Sequence, residues 1–377
     1  MFDVLLSVAI SFSITFLAIP VIITVAERKK LFDIPDERKI HRSPIPSLGG
    51  LGIFAGFILA CLIALPFRNA TGFQYFFAAS FVIFFLGLKD DILVISPIKK
   101  FIGQVLAAFL IIYKGEIQIR SMHGFLGIHE LPETFSLLFT YLTIIVIINS
   151  FNLIDGIDGL AGSLGLMSAT VFGCYFLAVG MPSFSILAFS LAGCLVAFLI
   201  FNFQPAKIFM GDTGSLLIGL INAILVIKFI NVADSPDVPY PMSAAPAIGF
   251  AILMVPLMDT LRVFAIRIFH RRSPFSPDRN HVHHLLLDKG LSHKEITLTL
   301  VAVNIAVIAA AYMTRHLGVT WVMLAIASLF FTGIAALYYT RPRSGLVMAK
   351  TTEASTNETV TTSKIVPLAK DILEHKN

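Results

Sequence analysis

Residues 134–158 read TFSLLFTYLTIIVIINSFNLIDGID. The first part, to Ile148, carries no charge and is dominated by Leu, Ile, Phe and Val. Two amides, Asn149 and Asn152, and two carboxylates, Asp155 and Asp158, then follow within ten residues. Apolar stretches near 20 residues can each cross a hydrocarbon core of about 30 Å as a helix. Charge is expensive in lipid, so acids and amides gathered at the end of such a run mark a working site.

The same alternation runs through the whole chain of 377 residues, which is 56% hydrophobic and only 14% charged. A soluble domain needs a wetted surface and cannot be this apolar throughout. The short alternating segments of a membrane β-barrel are missing. The sequence therefore predicts an all-α, polytopic membrane protein. About eleven spans are expected, at roughly 4–25, 48–66, 73–89, 99–113, 134–150, 161–179, 184–202, 213–230, 244–264, 296–313 and 319–339. Pro20 and Pro256 fall within spans, where neighbouring helices tolerate a kink. Residues 1–340 form the expected membrane domain, and the Thr/Ser/Lys/Glu-rich tail 341–377 reads as disordered.

The cations fix the expected orientation. The loops 26–47, 89–100, 203–212 and 262–295, with the tail, hold 23 of the Lys and Arg residues, and the opposite loops hold 5. The positive-inside rule puts the first group in the cytoplasm, with the N-terminus outside and the C-terminus inside. The first run lacks a basic leading region and is followed by Glu27-Arg28-Lys29-Lys30, so it reads as a retained span rather than a signal peptide. The net charge of +5 is thus accounted for by topology, with no nucleic-acid partner expected. Cys61, Cys174 and Cys194 lie in apolar runs and read as packing residues, neither a disulfide framework nor a zinc site.

Every polar cluster then falls on the cytoplasmic side. Asp90-Asp91 ends the third span. Two adjacent carboxylates repel unless a cation stands nearby, so one can bind Mg²⁺ while the other acts as base; a solvated loop with a helix cap is the bland alternative. Lys99 and Lys100 can hold phosphate or simply anchor the interface. In NSFNLIDGIDGLAG, Asp155 and Asp158 share a face if the segment is helical, and Gly156 and Gly159 let a ligand or helix come close. Four polar groups with interleaved glycines exceed what a polar turn needs. Asp212, in FMGDTG, opens a span: it is a helix N-cap or a Mg²⁺ ligand beside a diphosphate. Phe209 can stack on a base or sit at the interface. In SPFSPDRNHVHH, Arg279, His281, His283 and His284 suggest phosphate more than metal, because zinc partners at matching spacing are absent. His41, Arg42 and the Gly49-Gly50 pair can admit phosphate or serve helix packing.

Taken in order, SLGG, KDD, NSFNLIDGIDGLAG, FMGDTGSLLIG and SPFSPDRNHVHH resemble the polyprenyl-phosphate N-acetylhexosamine-1-phosphate transferase family, over about residues 26–340. Val282 interrupts the histidine run. This resembles the branch using UDP-N-acetylhexosamines rather than the branch using UDP-MurNAc-pentapeptide, whose three histidines are consecutive. The resemblance implies Mg²⁺ (with Mn²⁺ as a substitute) held by Asp212 and Asn152, and Asp90 and Asp91 as the catalytic acids beside the lipid phosphate. It implies that Asp155 and Phe209 hold the uracil, with Asp158 as the second acid of that motif. Arg279, His281, His283 and His284 would close over the sugar nucleotide. Apart from the resemblance, the residues themselves offer His41 and Lys100 as further candidate substrate contacts. The implied reaction moves an N-acetylhexosamine-1-phosphate, GlcNAc-1-phosphate by preference, from a UDP-sugar to undecaprenyl phosphate with release of UMP. The implied setting is the bacterial inner membrane, at the start of a cell-envelope polysaccharide; a homodimer is compatible with it, and the sequence does not fix the oligomeric state. The competing class is a proton-coupled transporter, whose acids would lie near mid-membrane at broken helices.

Overall fold

In hydrocarbon each backbone N–H and C=O must find a partner inside its own segment, so long apolar runs become helices. The computed structural model of the chain describes residues 1–31, 45–66, 70, 72–271 and 280–340. The first helices are α1 (Phe2–Lys29), α2 (Gly49–Ala64), α3 (Phe73–Ile92) and α4 (Pro97–Phe109), the last continued by a wider turn at Leu110–Lys114. A short antiparallel hairpin follows, β1 (Ser121–Phe125) and β2 (Ile128–Glu130). Then come α5 (Glu133–Ile154), α6 (Leu160–Ala178), α7 (Pro182–Asn202), α8 (Gly211–Ala233), α9 (Ala245–Ile252) and α10 (Met254–Phe269). The short α11 (Val282–Leu287), α12 (His293–Met313) and α13 (Val319–Tyr339) complete the described chain. The expected tail from 341, with His41 and Arg279, lies outside the described residues.

The chain is a multi-pass membrane protein. Among the described residues, seven helices (α1, α5, α6, α7, α8, α12 and α13) are long and apolar enough to cross a membrane, and the bent pair α9–α10 makes an eighth. The other three expected spans coincide with α2 of 16 residues, α3, which carries Lys89, Asp90 and Asp91 in its last turns, and α4 of 13 residues.

Helix α8 is the axis of the bundle. Every residue from Thr213 to Ile227 is buried, against α2, α3, α5, α6, α7 and α9. Helix α1 has the opposite character: only Val4, Ser7, Ser11, Thr15, Ile19 and Ala26 are buried, a single stripe at helical spacing. That stripe packs tightly through small residues. Thr15 Oγ1 donates to the Gly52 carbonyl at 3.1 Å, and a Cβ at Gly56 would lie 2.1 Å from the same hydroxyl. Close approach of backbones is how membrane helices associate without a hydrophobic drive.

Three expectations change. The span expected at 244–264 is broken at Leu253, where α9 and α10 meet at 82°. Asn304 of α12 supplies the partners freed by the break: its Oδ1 accepts from the Val255 amide at 3.0 Å, and its Nδ2 donates to the carbonyls of Ala251 and Ile252, each at 3.1 Å. Arg262 and Arg267, counted above as loop cations, are buried residues of α10. Of the cysteines, Cys61 and Cys194 are buried as packing residues, whereas Cys174 is exposed on the outer face of α6.

Candidate active site

Helix α8 begins at Gly211, which has φ +70° and no room for a side chain: a Cβ there would lie 2.2 Å from the Ser47 carbonyl and 2.7 Å from the Asp91 carboxylate. Its first amides point at Asp91. The Asp212 amide donates to Asp91 Oδ1 at 2.7 Å, and the Thr213 amide and hydroxyl donate to Oδ2 at 3.0 and 2.6 Å. A carboxylate from α3 thus caps α8 across the bundle, at the positive end of the helix dipole. The strand-like segment before α2 is pinned to the same place. Phe209 donates its amide to the Pro46 carbonyl at 2.7 Å, and the Gly49 and Gly50 amides donate to the carbonyls of Phe209 and Met210 at 2.9 and 2.8 Å.

With α8 fixed, four helix ends converge. Lys100 of α4 reaches between two carboxylates, 2.6 Å from Asp90 Oδ2 and 2.5 Å from Asp212 Oδ2. Asp90 also accepts from the Ile95 amide at 2.8 Å, which closes the α3–α4 turn. From α5, Asn152 Nδ2 donates to Asp212 Oδ1 at 2.9 Å and to Ser215 Oγ at 3.0 Å. Asn149, one turn earlier, pairs instead with Gln104 of α4, its Nδ2 donating to Oε1 at 2.7 Å.

The helical face expected to carry both Asp155 and Asp158 does not form. Helix α5 ends at Ile154, and Gly156 and Gly159 (the latter at φ +77°) turn the chain over to α6. The two carboxylates part. Asp155 stays with the acid cluster: burial first, and then the negative charges of Asp212, Asp91 and Asp158, push its carboxyl up to about 8. Asp158 turns away, 3.2 Å from His293 Nδ1 of α12, and accepts from the Ala206 amide at 3.1 Å.

The histidines pack on this turn. His283 is buried, and its Nε2 would be 2.5 Å from a Cβ at Gly156, so only glycine leaves room for the ring. Burial first, then His284 and His281, hold the His283 imidazole down at about 3, so it stays neutral. Its Nδ1 has no hydrogen-bond partner among the described residues. His281 stacks parallel to His283 at 5.6 Å, while its Nδ1 faces Asp259 Oδ2 at 2.8 Å. His284 lies 4.4 Å from His283, ring centre to ring centre.

The donor set suits a small hard cation. Asp90 and Asp212 already direct one oxygen each at a single positive charge, that of Lys100, and the Asn152 carbonyl oxygen has no partner among the described residues. Among those residues no group of three His, Cys, Asp or Glu side chains forms a complete cage. Mg²⁺ is commonly held by one or two carboxylates, with substrate phosphates and water supplying the rest.

Residues 73–230, which include the acids, Asn152 and the start of α8, match the profile of glycosyl transferase family 4. The decaprenyl-phosphate N-acetylglucosaminephosphotransferase of Mycobacterium leprae is 33% identical over 310 residues, covering 76% of this chain and 77% of that protein. The chain belongs to glycosyl transferase family 4. Other relatives are the probable undecaprenyl-phosphate N-acetylglucosaminyl 1-phosphate transferase of Bacillus subtilis, 30% identical over 78% of this chain and 82% of that protein, and the undecaprenyl-phosphate alpha-N-acetylglucosaminyl 1-phosphate transferase of Escherichia coli, 29% identical over 81% and 83%. These names agree with the resemblance read from the motifs.

Within this family-4 chain, the structure brings Asp90, Asp91, Lys100, Asn152, Asp155 and Asp212 together, with Phe209 at the edge and His281, His283 and His284 on the adjoining turn. Asp158 pairs with His293 and the Ala206 amide rather than with the Lys100 junction. Asp259, Arg262 and His293 were not singled out from the sequence: Asp259 and Arg262 pair with each other inside an apolar run, and the contacts that join them to Asn280 and His281, like that of His293 to Asp158, lie far away along the chain.

Proposed function

We propose that this protein transfers GlcNAc-1-phosphate from a UDP-sugar to a polyprenyl phosphate, undecaprenyl phosphate in a bacterial inner membrane, and releases UMP. The observation that carries this reading is the junction of Asp90, Lys100, Asn152 and Asp212 at the meeting ends of α3, α4, α5 and α8. Two anionic substrates must meet there, which requires cationic charge, and a water-borne nucleotide must meet a lipid, which requires an interface. The excess of Lys and Arg on the loops of that end favours the cytoplasmic face, where the product would begin a cell-envelope polysaccharide.

The residues divide the work. Asp212, Asn152 and Asp90 would hold Mg²⁺, which when bound supplies charge neutralisation to the diphosphate. Lys100 keeps the acids from repelling each other and donates to phosphate. Asp91, with both oxygens engaged by α8, holds the N-terminus of that helix in register. Asp155 and Phe209 would receive the uracil, and the histidine turn would meet the diphosphate side of the donor. The lipid phosphate is largely ionised at neutral pH, its second pKa being about 6, so it can attack the donor β-phosphorus directly. A base is then optional. The engagement of Asp91 by α8 and of Asp90 by Lys100 and Ile95 supports this over a covalent aspartyl intermediate. Near the bend of α9–α10, an apolar cavity of about 350 Å³ lies between α5, α8 and α10, lined by Val146, Val226, Leu253 and Leu257 among others, and suits an isoprenoid chain.

The broken helix α9–α10 is the one feature that favours transport, yet the acids lie at helix ends. Purified protein given UDP-GlcNAc, undecaprenyl phosphate and Mg²⁺ should release UMP only when all three are present. Stoichiometric UMP without the lipid would establish a covalent route, and no UMP with competent substrates would overturn the transferase reading. Equal use of UDP-MurNAc-pentapeptide would overturn the donor assignment.

A further inference from the structure

Asp259 and Arg262 lie one turn apart on α10, both buried, and neither belongs to the acid cluster. A buried ion pair is weak evidence of stability, since desolvation offsets most of the attraction. The partners of this one point elsewhere. The pair, joined at 2.9 Å, grips three consecutive residues that lead into α11: Arg262 Nη2 donates to the Asn280 carbonyl, His281 Nδ1 meets Asp259 Oδ2 at 2.8 Å, and the Val282 amide donates to Asp259 Oδ1 at 3.0 Å.

This arrangement decides the chemistry of one ring. A carboxylate accepts hydrogen bonds and donates none, so the hydrogen of His281 is placed on Nδ1, and Nε2 is the ring nitrogen left for a ligand. The parallel stack on His283 holds the ring plane. With an anionic ligand on Nε2 and the carboxylate on Nδ1, the imidazolium form donates from both sides. Arg262 balances the Asp259 charge, so that carboxylate can stay ionised in a buried site.

We propose that Asp259 is a positioning residue for the transfer reaction: it holds His281 by Nδ1 so that Nε2 is directed at the diphosphate of the sugar nucleotide. Arg262 secures Asp259 and the Asn280 carbonyl. This rests on the donor-binding reading of the histidines given above.

The test is a double-mutant cycle with UDP-GlcNAc and undecaprenyl phosphate as probes. Asp259→Asn keeps the size but removes the charge and the tautomer choice. It should raise the KM for UDP-GlcNAc about 10- to 100-fold and leave the KM for the lipid unchanged. In a His281→Ala background the same change should add no more than about two-fold, the usual error of additivity. A second pair of variants does not depend on Asp259→Asn folding. Asn imitates the Nδ1 side of histidine and Gln the Nε2 side, so His281→Asn and His281→Gln should both lose donor affinity, one for want of reach and the other for want of its hold. An Asp259→Asn cost that is equal in both backgrounds, or a His281→Asn enzyme with wild-type donor KM, overturns the proposal alone. An unchanged donor KM in His281→Ala overturns the donor contact of the histidines and this proposal with it. Absence of all transfer by the wild-type protein is a separate outcome that removes the reaction itself.

Discussion

Lys100 stands between Asp90 and Asp212, and replacing it with methionine would leave two carboxylates facing each other without an ammonium. Transfer by Lys100→Met should fall on the order of 10²-fold, as when one charged donor is removed from a preorganised site. The Mg²⁺ requirement should move the other way. With no ammonium competing for the two acids, half-saturation should occur at lower Mg²⁺, and a titration that shows a higher value would reject Lys100 as the competitor. Asp212→Ala should lose activity by a similar factor while the protein still reaches the membrane, and retained activity would remove Asp212 from the metal site. Gly211→Ala tests the frame. The left-handed conformation costs an alanine about 1–2 kcal/mol, before any contact with Ser47 or Asp91 is relieved, so the unfolding temperature in detergent should drop along with activity. At this scale the acids and Asn152 were legible because they interrupt the end of an apolar run. The separate duties of Asp90 and Asp91 were not, because adjacency along the chain says nothing about which helix each side chain will meet. Asp259 was hidden for a related reason: its partner His281 is twenty-two residues away, beyond any local spacing rule.

Two elements carry their own tests. The α9–α10 break depends on Asn304, which joins three backbone groups in the bundle interior. Asn304→Leu would orphan them, and each buried unpaired group costs about 1–3 kcal/mol. Thermal unfolding should register a loss on the order of 3 kcal/mol, and an unchanged midpoint would mean that the break holds itself. The turn carrying α11 has a pH dependence through His283. Its imidazole is held near 3 in the fold, against about 6.5 in the unfolded chain. Between these values the unfolded state binds the extra proton. Stability contributed by His283 is therefore full above about pH 6.5 and declines as pH falls toward 3, by about 1.4 kcal/mol per pH unit. His283→Gln should flatten that part of the acid-unfolding curve, and an unaltered curve would show that His283 is charged in the fold. Helix identities at this scale were readable from uncharged length. The break at Leu253 was not, because Pro256 signals a kink without saying how large, and Asn304 looks like any polar residue in a span.

For the whole molecule, the orientation is the open quantity that a simple experiment fixes. In a background lacking Cys61, Cys174 and Cys194, a cysteine at Leu126, exposed at the hairpin tip, should react with an impermeant thiol reagent on intact cells. One at Lys294, beside the histidine turn, should react only after the membrane is opened. The reverse pattern would invert the topology and put the site on the wrong face for a cytosolic nucleotide. The membrane class and the gathering of polar motifs at one end were legible in the sequence, because lipid makes any charge conspicuous. The arrangement of helices was not. Helices α1 and α8 are nearly alike in hydropathy, yet 17% of the apolar stretch of α1 is buried against 78% in α8.

That contrast bears on how the molecule is made. Helix α8 is greasy enough to partition into a bilayer unaided, yet its central turns keep no lipid-facing side once its neighbours close around it. Acyl chains must solvate it during biogenesis and then be expelled, in an exchange that gains no hydrophobic free energy and depends on fit alone. Small, mobile surfactants meet the thinly packed α1 first, so α8 loses its neighbours only after the outer helices have parted.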